Sequence, residues 1–322
     1  MSAAPLRISF LGGGTDLPHY SDIFGGRVIT TSINKYVYVH LKHHDPLFQE
    51  RYRISYSEVE HCQNRNEIQN KIVKACLEIL EIDEPLQIST SADLPAKSGL
   101  GSSSSFCVAL LAALIKYKGG TVDKSQIAEL ACKVEIEILE QPIGKQDQYA
   151  SCFGGFNLIH FDQDKNVRIE NIAVTDFNIK KFLYESILIW TEKERDANSI
   201  LQDQVNRSSQ NLDSLHEIQH LTTRAEIQLR QNKMKFQDFR SFISESWEHK
   251  KKLSPLIESE EVRRLFSQLS LKPTDGVKLL GAGGGGFVLV SRENGVPHLD
   301  SEIKSFVPEF EDNGVRIISA ES

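Results

Sequence analysis

The sequence predicts an α+β fold in about two domains, and three observations carry that expectation. The first half alternates strand-like and helix-like segments; residues 196–269 are polar, charged and spaced as helices; strands then return around a glycine run at 281–286. With 322 residues, the chain has enough length for two cores, since domains typically hold about 100–200 residues. Composition changes after Leu188-Ile189-Trp190, so the boundary falls near 175–190, and we divide the chain into 1–183 and 184–322. No internal repeat, low-complexity tail or long linker interrupts either part.

Taken in order, residues 7–11, 27–41 and 51–57 read as strands, the second rich in β-branched residues and tyrosine. A helix is expected over 63–80. Residues 86–91 alternate apolar with polar, which is the period of a strand. Helices over 103–117 and 124–139 follow, then strands at 156–161 and 167–172. Beyond the polar helical stretch, strands are expected at 276–280, at 287–291 and near 314–319.

A net charge of −7 and a pI near 5.8 argue against nucleic acid as a partner, because a long phosphate footprint needs a basic face. A small anion needs only a few local cations and stays admissible. The five cysteines are odd in number and include no Cys-x-x-Cys pair. Cys76, Cys107 and Cys132 sit among apolar residues, so a disulfide framework or zinc site is not expected and a reducing compartment fits. The N-terminus lacks the regions of a signal peptide, and no apolar run approaches a membrane span. A cytoplasmic enzyme with no membrane partner is expected.

Three segments carry chemistry. Residues 95–105, Pro-Ala-Lys-Ser-Gly-Leu-Gly-Ser-Ser-Ser-Ser, open a run of good helix formers at 106–115. Glycines bring backbone close to a ligand, serines cap the helix and offer hydroxyls, and the helix N-terminus presents N–H groups to an anion. No Lys-Ser/Thr pair follows the second glycine, so the loop is not a Walker A motif. A serine-rich cap on a core helix is the plain alternative. Residues 277–290 set a glycine loop between apolar flanks, unlike a flexible linker, so a backbone or ligand must come very near. Gly144-Lys145-Gln146-Asp147-Gln148-Tyr149-Ala150 follows a helix that carries Glu135.

With Arg7-Ile8-Ser9-Phe10-Leu11-Gly12-Gly13-Gly14-Thr15-Asp16 near the start, these segments resemble the GHMP small-molecule kinases, which include galactokinases, homoserine kinases and mevalonate kinases. Phe153-Gly154-Gly155-Phe156-Asn157 and Trp247-Glu248-His249-Lys250-Lys251 extend the likeness along the whole chain. Within the superfamily the pattern is most similar to the D-glycero-D-manno-heptose 7-phosphate kinases and their L-fucokinase relatives. The resemblance implies an N-terminal α/β domain and a C-terminal ferredoxin-like α+β domain, with the active site between them. It implies ATP and Mg2+ as well, and a homodimer is compatible with it.

Residue by residue, the resemblance assigns ATP to Ser98, Gly99, Leu100, Gly101, Ser102, Ser103 and Ser104; Lys97, where many superfamily members have glycine, departs from the pattern and is placed with them as an added phosphate contact, against a solvated lysine. It gives the magnesium ligands as Glu135 and either Ser102 or Ser103, and does not choose between the serines. Glu137 is a weaker alternative to Glu135, which could otherwise be a solvated helix carboxylate. Asp147 is the expected catalytic carboxylate, with capping of a helix starting near Gln148 as its alternative or additional role. Arg7 is the expected fixed cation beside it, against a surface arginine on an edge strand. Gly13, Gly14, Thr15, Asp16 and Tyr20 align with the sugar-binding turn, and Lys145, Gly283 and Gly284 are also placed at the substrate.

A phosphorylated acceptor requires cations at the far end of the pocket, for which Lys35, Lys97, Lys145 and Arg195 are candidates. The chain has no room for the pyrophosphorylase domain often fused to L-fucokinases, which favours a heptose 7-phosphate acceptor over a free sugar such as fucose. The product would be the 1,7-bisphosphate, on a route to nucleotide-activated heptose for surface polysaccharide. A dinucleotide-binding unit is rejected because Thr15-Asp16-Leu17-Pro18 breaks its glycine pattern. A non-catalytic sugar sensor is disfavoured because the chain keeps Arg7, Glu135, Asp147, both serines and both glycine loops.

Overall fold

The computed structural model describes residues 1–173, 177–194, 197–297, 299 and 301–318. Its first part contains β1 (Ser2–Leu11), α1 (Pro18–Phe24), β2 (Gly26–His43), β3 (Tyr52–Ser55), β4 (Val59–Cys62), α2 (Lys71–Ile79), β5 (Leu86–Ala92), α3 (Ser102–Tyr117), α4 (Lys124–Cys132), α5 (Gln146–Phe153), β6 (Phe156–Phe161) and β7 (Val167–Asn171). The second contains α6 (Ile179–Tyr184), β8 (Ser186–Trp190), α7 (Ala197–Asn206), α8 (Ser208–Arg230), α9 (Phe236–Lys250), α10 (Glu260–Gln268), β9 (Gly276–Leu279), β10 (Phe287–Ser291), β11 (Ser305–Phe306) and β12 (Arg316–Ile317). The mixture is α+β, as the sequence predicts.

An eight-stranded sheet runs β12-β1-β2-β5-β3-β4, with β6 and β7 branching from β2. The branch exists because β2 is long: its first residues pair with β6 and its last with β5. A second, antiparallel sheet runs β11-β8-β10-β9. Strand β12 pairs with β1, so the chain's last described strand lies at an edge of the first sheet.

Every residue of β1 is buried, between α3 on one side and elements of the second part on the other. Ala109, Ala112 and Ala113 keep α3 slim, and Ser2 Oγ and Ser105 Oγ tie helix to strand through the Ala109 and Pro5 carbonyls. Phe10, Phe156, Phe177, Phe182 and Phe239 pack edge-to-face or tilted where the two parts meet. Each such ring contributes roughly 1.5–3 kcal/mol on burial. All five cysteines are free and buried, and no described helix is long and apolar enough to cross a membrane.

Two expected helices differ in detail. The segment expected as one helix over 63–80 is a 3-10 turn at Arg65–Glu67 followed by α2. Asn70 starts α2 by accepting the Val73 N–H at 3.1 Å, a cap that ends one helix grammar and begins another. The helix expected over 124–139 changes at Cys132 into a π-helical segment, Lys133–Ile138, which carries Glu135. Such widened turns are frequent at functional sites. Of the strand expected near 314–319, Arg316–Ile317 pairs, and residue 319 lies outside the described residues.

Candidate active site

The phosphate-loop candidate turns on two left-handed glycines, Gly99 (φ +85°) and Gly101 (φ +78°). Gly101 occupies the N-cap position of α3 with no side chain capping it, which corrects the expectation that a serine caps this helix. The hydroxyls are engaged elsewhere: Ser103 Oγ donates to Glu135 Oε1 at 2.9 Å and Ser105 Oγ to Pro5 O. The first-turn N–H groups of α3 therefore have no side-chain cap, and their partial positive charge suits an anion.

The C-terminal glycine loop backs this turn. Gly286 has φ +97°, and a Cβ there would lie 2.4 Å from Ser98 O; Phe287 N–H donates to the same carbonyl at 3.0 Å. Gly281 and Ala282 line the cleft. Gly283 and Gly284, expected at the substrate, pack instead on Ile257: a Cβ on Gly283 would meet Ile257 Cα at 2.6 Å, and Gly284 N–H donates to Ile257 O.

Between the parts lies a cleft with two compartments. The outer one is lined by Lys97, Gly99, Gly101, Ser102, Ser103, Ser104 and Glu135, the inner one by Ser9, Gly13, Gly14, Asp16, Gln146, Lys250 and Lys278. Arg7 and Asp147 border both. Arg7 donates from Nε to Asp147 Oδ1 at 2.8 Å and from Nη2 to Oδ2 at 2.7 Å, a two-pronged pair. Its Nη1 donates to Gly99 O at 2.6 Å, joining the pair to the phosphate loop. Arg7 is only 4% exposed, so it is not a surface arginine. Asp147 sits in the first turn of α5, and the cap position belongs to Lys145; the helix-cap alternative is thereby replaced by the ion pair.

Glu135 is fully buried, and its second oxygen accepts from Gln148 Nε2 at 2.7 Å. Burial pushes its carboxyl upward, opposed by hydrogen bonds from Ser104, Gln148 and Ser103. Ser103 and Glu135 thus offer two hard oxygen donors side by side at the outer compartment, a donor set that suits Mg2+. Ser102, the other serine considered, also lines this compartment.

In the inner compartment Asp16 accepts from Gly14 N–H at 3.0 Å and from Gln146 Nε2 at 2.9 Å. Burial raises its carboxyl, while the Gly14 hydrogen bond and Lys250 pull the other way. A Cβ on Gly144 would fall 2.0 Å from Asp16 Oδ2, so this position must be glycine for the carboxylate to sit there. Thr15 supports the turn from inside, donating to Gly12 O and Arg27 O. Tyr20 lies in the core against His216, 2.9 Å from its Nδ1, and is not among the cleft residues.

The cations expected from sequence are placed elsewhere. Lys145 turns away to donate to Lys165 O at 2.9 Å. Lys35 lies over the Phe306 ring, Lys97 is exposed at the outer compartment, and Arg195 lies outside the described residues. Two lysines that sequence reasoning did not select line the inner compartment. Lys250, at the end of α9, reaches Gly13 O at 3.3 Å. Lys278, on β9, donates to Ser9 O and Phe10 O, both at 2.9 Å. The Trp247–Lys251 motif and an isolated lysine ahead of the glycine loop were their only signals.

Residues 70–155 match the family model described as the GHMP kinases N terminal domain. Over this segment the chain is similar to the GHMP kinases. This likeness and the relatives below support a sugar kinase that transfers a phosphoryl group to an alcohol acceptor. Among curated relatives, a D-glycero-alpha-D-manno-heptose 7-phosphate kinase of Campylobacter jejuni is 29% identical over 300 residues, covering 88% of this chain and 86% of its own. A galactokinase of Thermotoga petrophila is 24% identical, covering 93% of this chain and 91% of its own. The fold matches that of a D-glycero-D-manno-heptose 1-phosphate kinase from Bacteriodes thetaiotaomicron, with TM-score 0.75, 24% identity and 99% coverage of both chains. A Lactococcus lactis galactokinase complexed with galactose matches with TM-score 0.70 and 16% identity, covering 98% of this chain and 94% of its own.

Proposed function

We propose that this kinase uses ATP with Mg2+ to phosphorylate the anomeric hydroxyl of D-glycero-D-manno-heptose 7-phosphate, giving the 1,7-bisphosphate, in the cytoplasm. The observation that carries the reading is the Arg7–Asp147 pair at the boundary between the two compartments. A nucleotide in the outer compartment and a sugar in the inner one would meet there. The heptose 7-phosphate kinase likeness, spanning most of both chains, supports the acceptor.

In this reading the N-terminus of α3 and the Gly99–Gly101 backbone hold the triphosphate. Ser103 and Glu135 would hold the magnesium ion, which when bound neutralises charge on the phosphates. Arg7 grips both Asp147 oxygens, so the carboxylate is fixed in orientation and its remaining lone pairs can receive the acceptor hydroxyl. A loose transition state asks little of a base until late, so Asp147 acts mainly by aiming that hydroxyl. Arg7 adds a preorganised positive charge beside the transferring group. Asp16 accepts hydrogen bonds from sugar hydroxyls, the kind of contact that discriminates strongly between sugars.

The test is magnesium-dependent ADP release across a sugar panel, with phosphorus NMR assigning the position of the new phosphate. D-glycero-D-manno-heptose 7-phosphate is expected to be the best acceptor and to acquire an anomeric phosphate. Equal or better turnover of free heptose, L-fucose, D-mannose or D-galactose would discard this acceptor. The two heptose kinase relatives carry different position names, 7-phosphate and 1-phosphate, so the NMR assignment is essential.

A further inference from the structure

The inner compartment has more positive than negative side chains. Its cations are Arg7, Lys250 and Lys278, and its carboxylates are Asp16 and Asp147. Arg7 and Asp147 neutralise one another in a two-pronged pair. Lys250 lies near enough to Asp16 to influence its ionisation. Lys278 is held by two main-chain carbonyls, and among the described residues no carboxylate pairs with it. A buried ammonium with only neutral partners is costly, which makes an anion from outside the protein the natural complement.

A second observation points to the same place. Ser9 is 5% exposed and lines the inner compartment, yet its hydroxyl has no hydrogen-bond partner. An unpartnered hydroxyl that faces a cleft is free to bond a molecule bound there. The three groups converge. A Cβ on Gly13 would lie 3.7 Å from Ser9 Oγ and 3.9 Å from Lys250 Nζ, and Lys278 Nζ bonds the Ser9 carbonyl. Two ammoniums and a hydroxyl form a donor set for a tetrahedral oxyanion.

Arg7 and Ser9 are two residues apart on β1 and share a face. The Arg7–Asp147 pair and the orphan donor at Ser9 therefore line one compartment, with Asp16 on its wall. This arrangement suits an acceptor that presents a hydroxyl at one end and an anion at the other.

We propose that Lys250, Lys278 and the Ser9 hydroxyl form the subsite for the phosphate that the acceptor sugar already carries, and that they select sugar phosphate over free sugar. The proposal rests on the sugar-kinase reading above and deepens it. It replaces the surface lysines expected from sequence with two buried ones contributed by the second half of the chain.

The experiment measures kcat/KM for four acceptors: D-glycero-D-manno-heptose 7-phosphate, the free heptose, D-mannose 6-phosphate and D-mannose. Wild type is compared with Ser9→Ala, Lys250→Met, Lys278→Met and Lys250→Arg, each checked for folding by circular dichroism. For either lysine-to-methionine variant, the ratio of phosphorylated to free sugar is expected to fall roughly 10- to 100-fold, mostly through KM, as loss of a charged hydrogen-bond donor implies. Lys250→Arg recovers part of that ratio, and Ser9→Ala lowers it severalfold. Equal losses on phosphorylated and free sugars would overturn the subsite. If wild type prefers mannose 6-phosphate to the heptose phosphate and the variants lose that preference, the heptose assignment fails while the subsite stands. If wild type prefers the free sugars throughout, both fail.

Discussion

Replacing Lys278 with methionine removes a charge and keeps most of the volume, and the structure predicts that the protein becomes more stable. Burial, reinforced by the neighbouring positive charges of Lys250 and Arg7, pulls the Lys278 ammonium down to about 7, against an ordinary lysine value near ~10.4. At ~1.36 kcal/mol per pH unit, the folded protein carries that charge about 5 kcal/mol less favourably than water does. Methionine removes this cost but leaves Ser9 O and Phe10 O without their donor, at roughly 1 kcal/mol each. The net expectation is a gain of about 3 kcal/mol.

The sign depends on pH. Below about 7 the lysine is protonated in folded and unfolded chains alike, so the full cost is present and constant. Between about 7 and 10.4 the unfolded chain binds a proton that the folded chain has released, so wild-type stability rises with pH. The advantage of Lys278→Met is therefore largest at pH 6, shrinks by about 1.4 kcal/mol per pH unit above 7, and crosses zero near pH 9. Arg7 on β1 and Lys250 at the end of α9 act on it directly, and Asp16 and Asp147 line the same compartment. Urea unfolding of both proteins from pH 6 to 9.5, followed by tryptophan fluorescence, measures the difference. A less stable variant at pH 6, or a gap that ignores pH, would refute the reasoning.

Three further outcomes are expected. Asp147→Asn should lower kcat by about 10^2- to 10^4-fold, with a KM for ATP within about threefold of wild type because the phosphate loop is untouched; coupled ADP release reads both, and a near-normal kcat would remove Asp147 from the mechanism. Glu135→Gln should raise the Mg2+ concentration needed for half-maximal activity by about tenfold or more, read from a magnesium titration at fixed ATP; an unchanged titration would relocate the ion. Gly286→Ala places a methyl group against Ser98 O at a positive φ, so it should destabilise by about 1–3 kcal/mol and weaken ATP binding, as nucleotide titration of the purified variant would reveal. Normal ATP affinity there would mean the two glycine loops are uncoupled.

Local grammar made much of the molecule legible. The strand around Arg7, the long strand after Arg27, the helix after the serine run and the pair flanking the C-terminal glycines all fall where periodicity places them. Exceptions came from local chemistry that periodicity cannot weigh. Asn70 starts a helix inside a segment read as continuous, and the chain widens at Lys133. The glycine loop at 281–286 was read correctly as a close approach, but its partners were not: Gly286 meets the phosphate loop and Gly283 meets Ile257.

The sequence by itself determined the likeness to a family, the two glycine loops and the choice of Arg7, Asp16, Glu135 and Asp147 as candidates, because each lies in a contiguous motif. Tertiary structure alone decided which cations line the inner compartment. Lys278 reaches carbonyls 269 and 268 residues away, Lys250 reaches Gly13 from 237 residues away, and Lys145, two residues from Asp147, turns out toward Lys165. A lysine's long, flexible stem lets its charge lie far from its place in the chain. Its position is set by the desolvating surfaces that close around it, and those surfaces exist only once the two parts have packed.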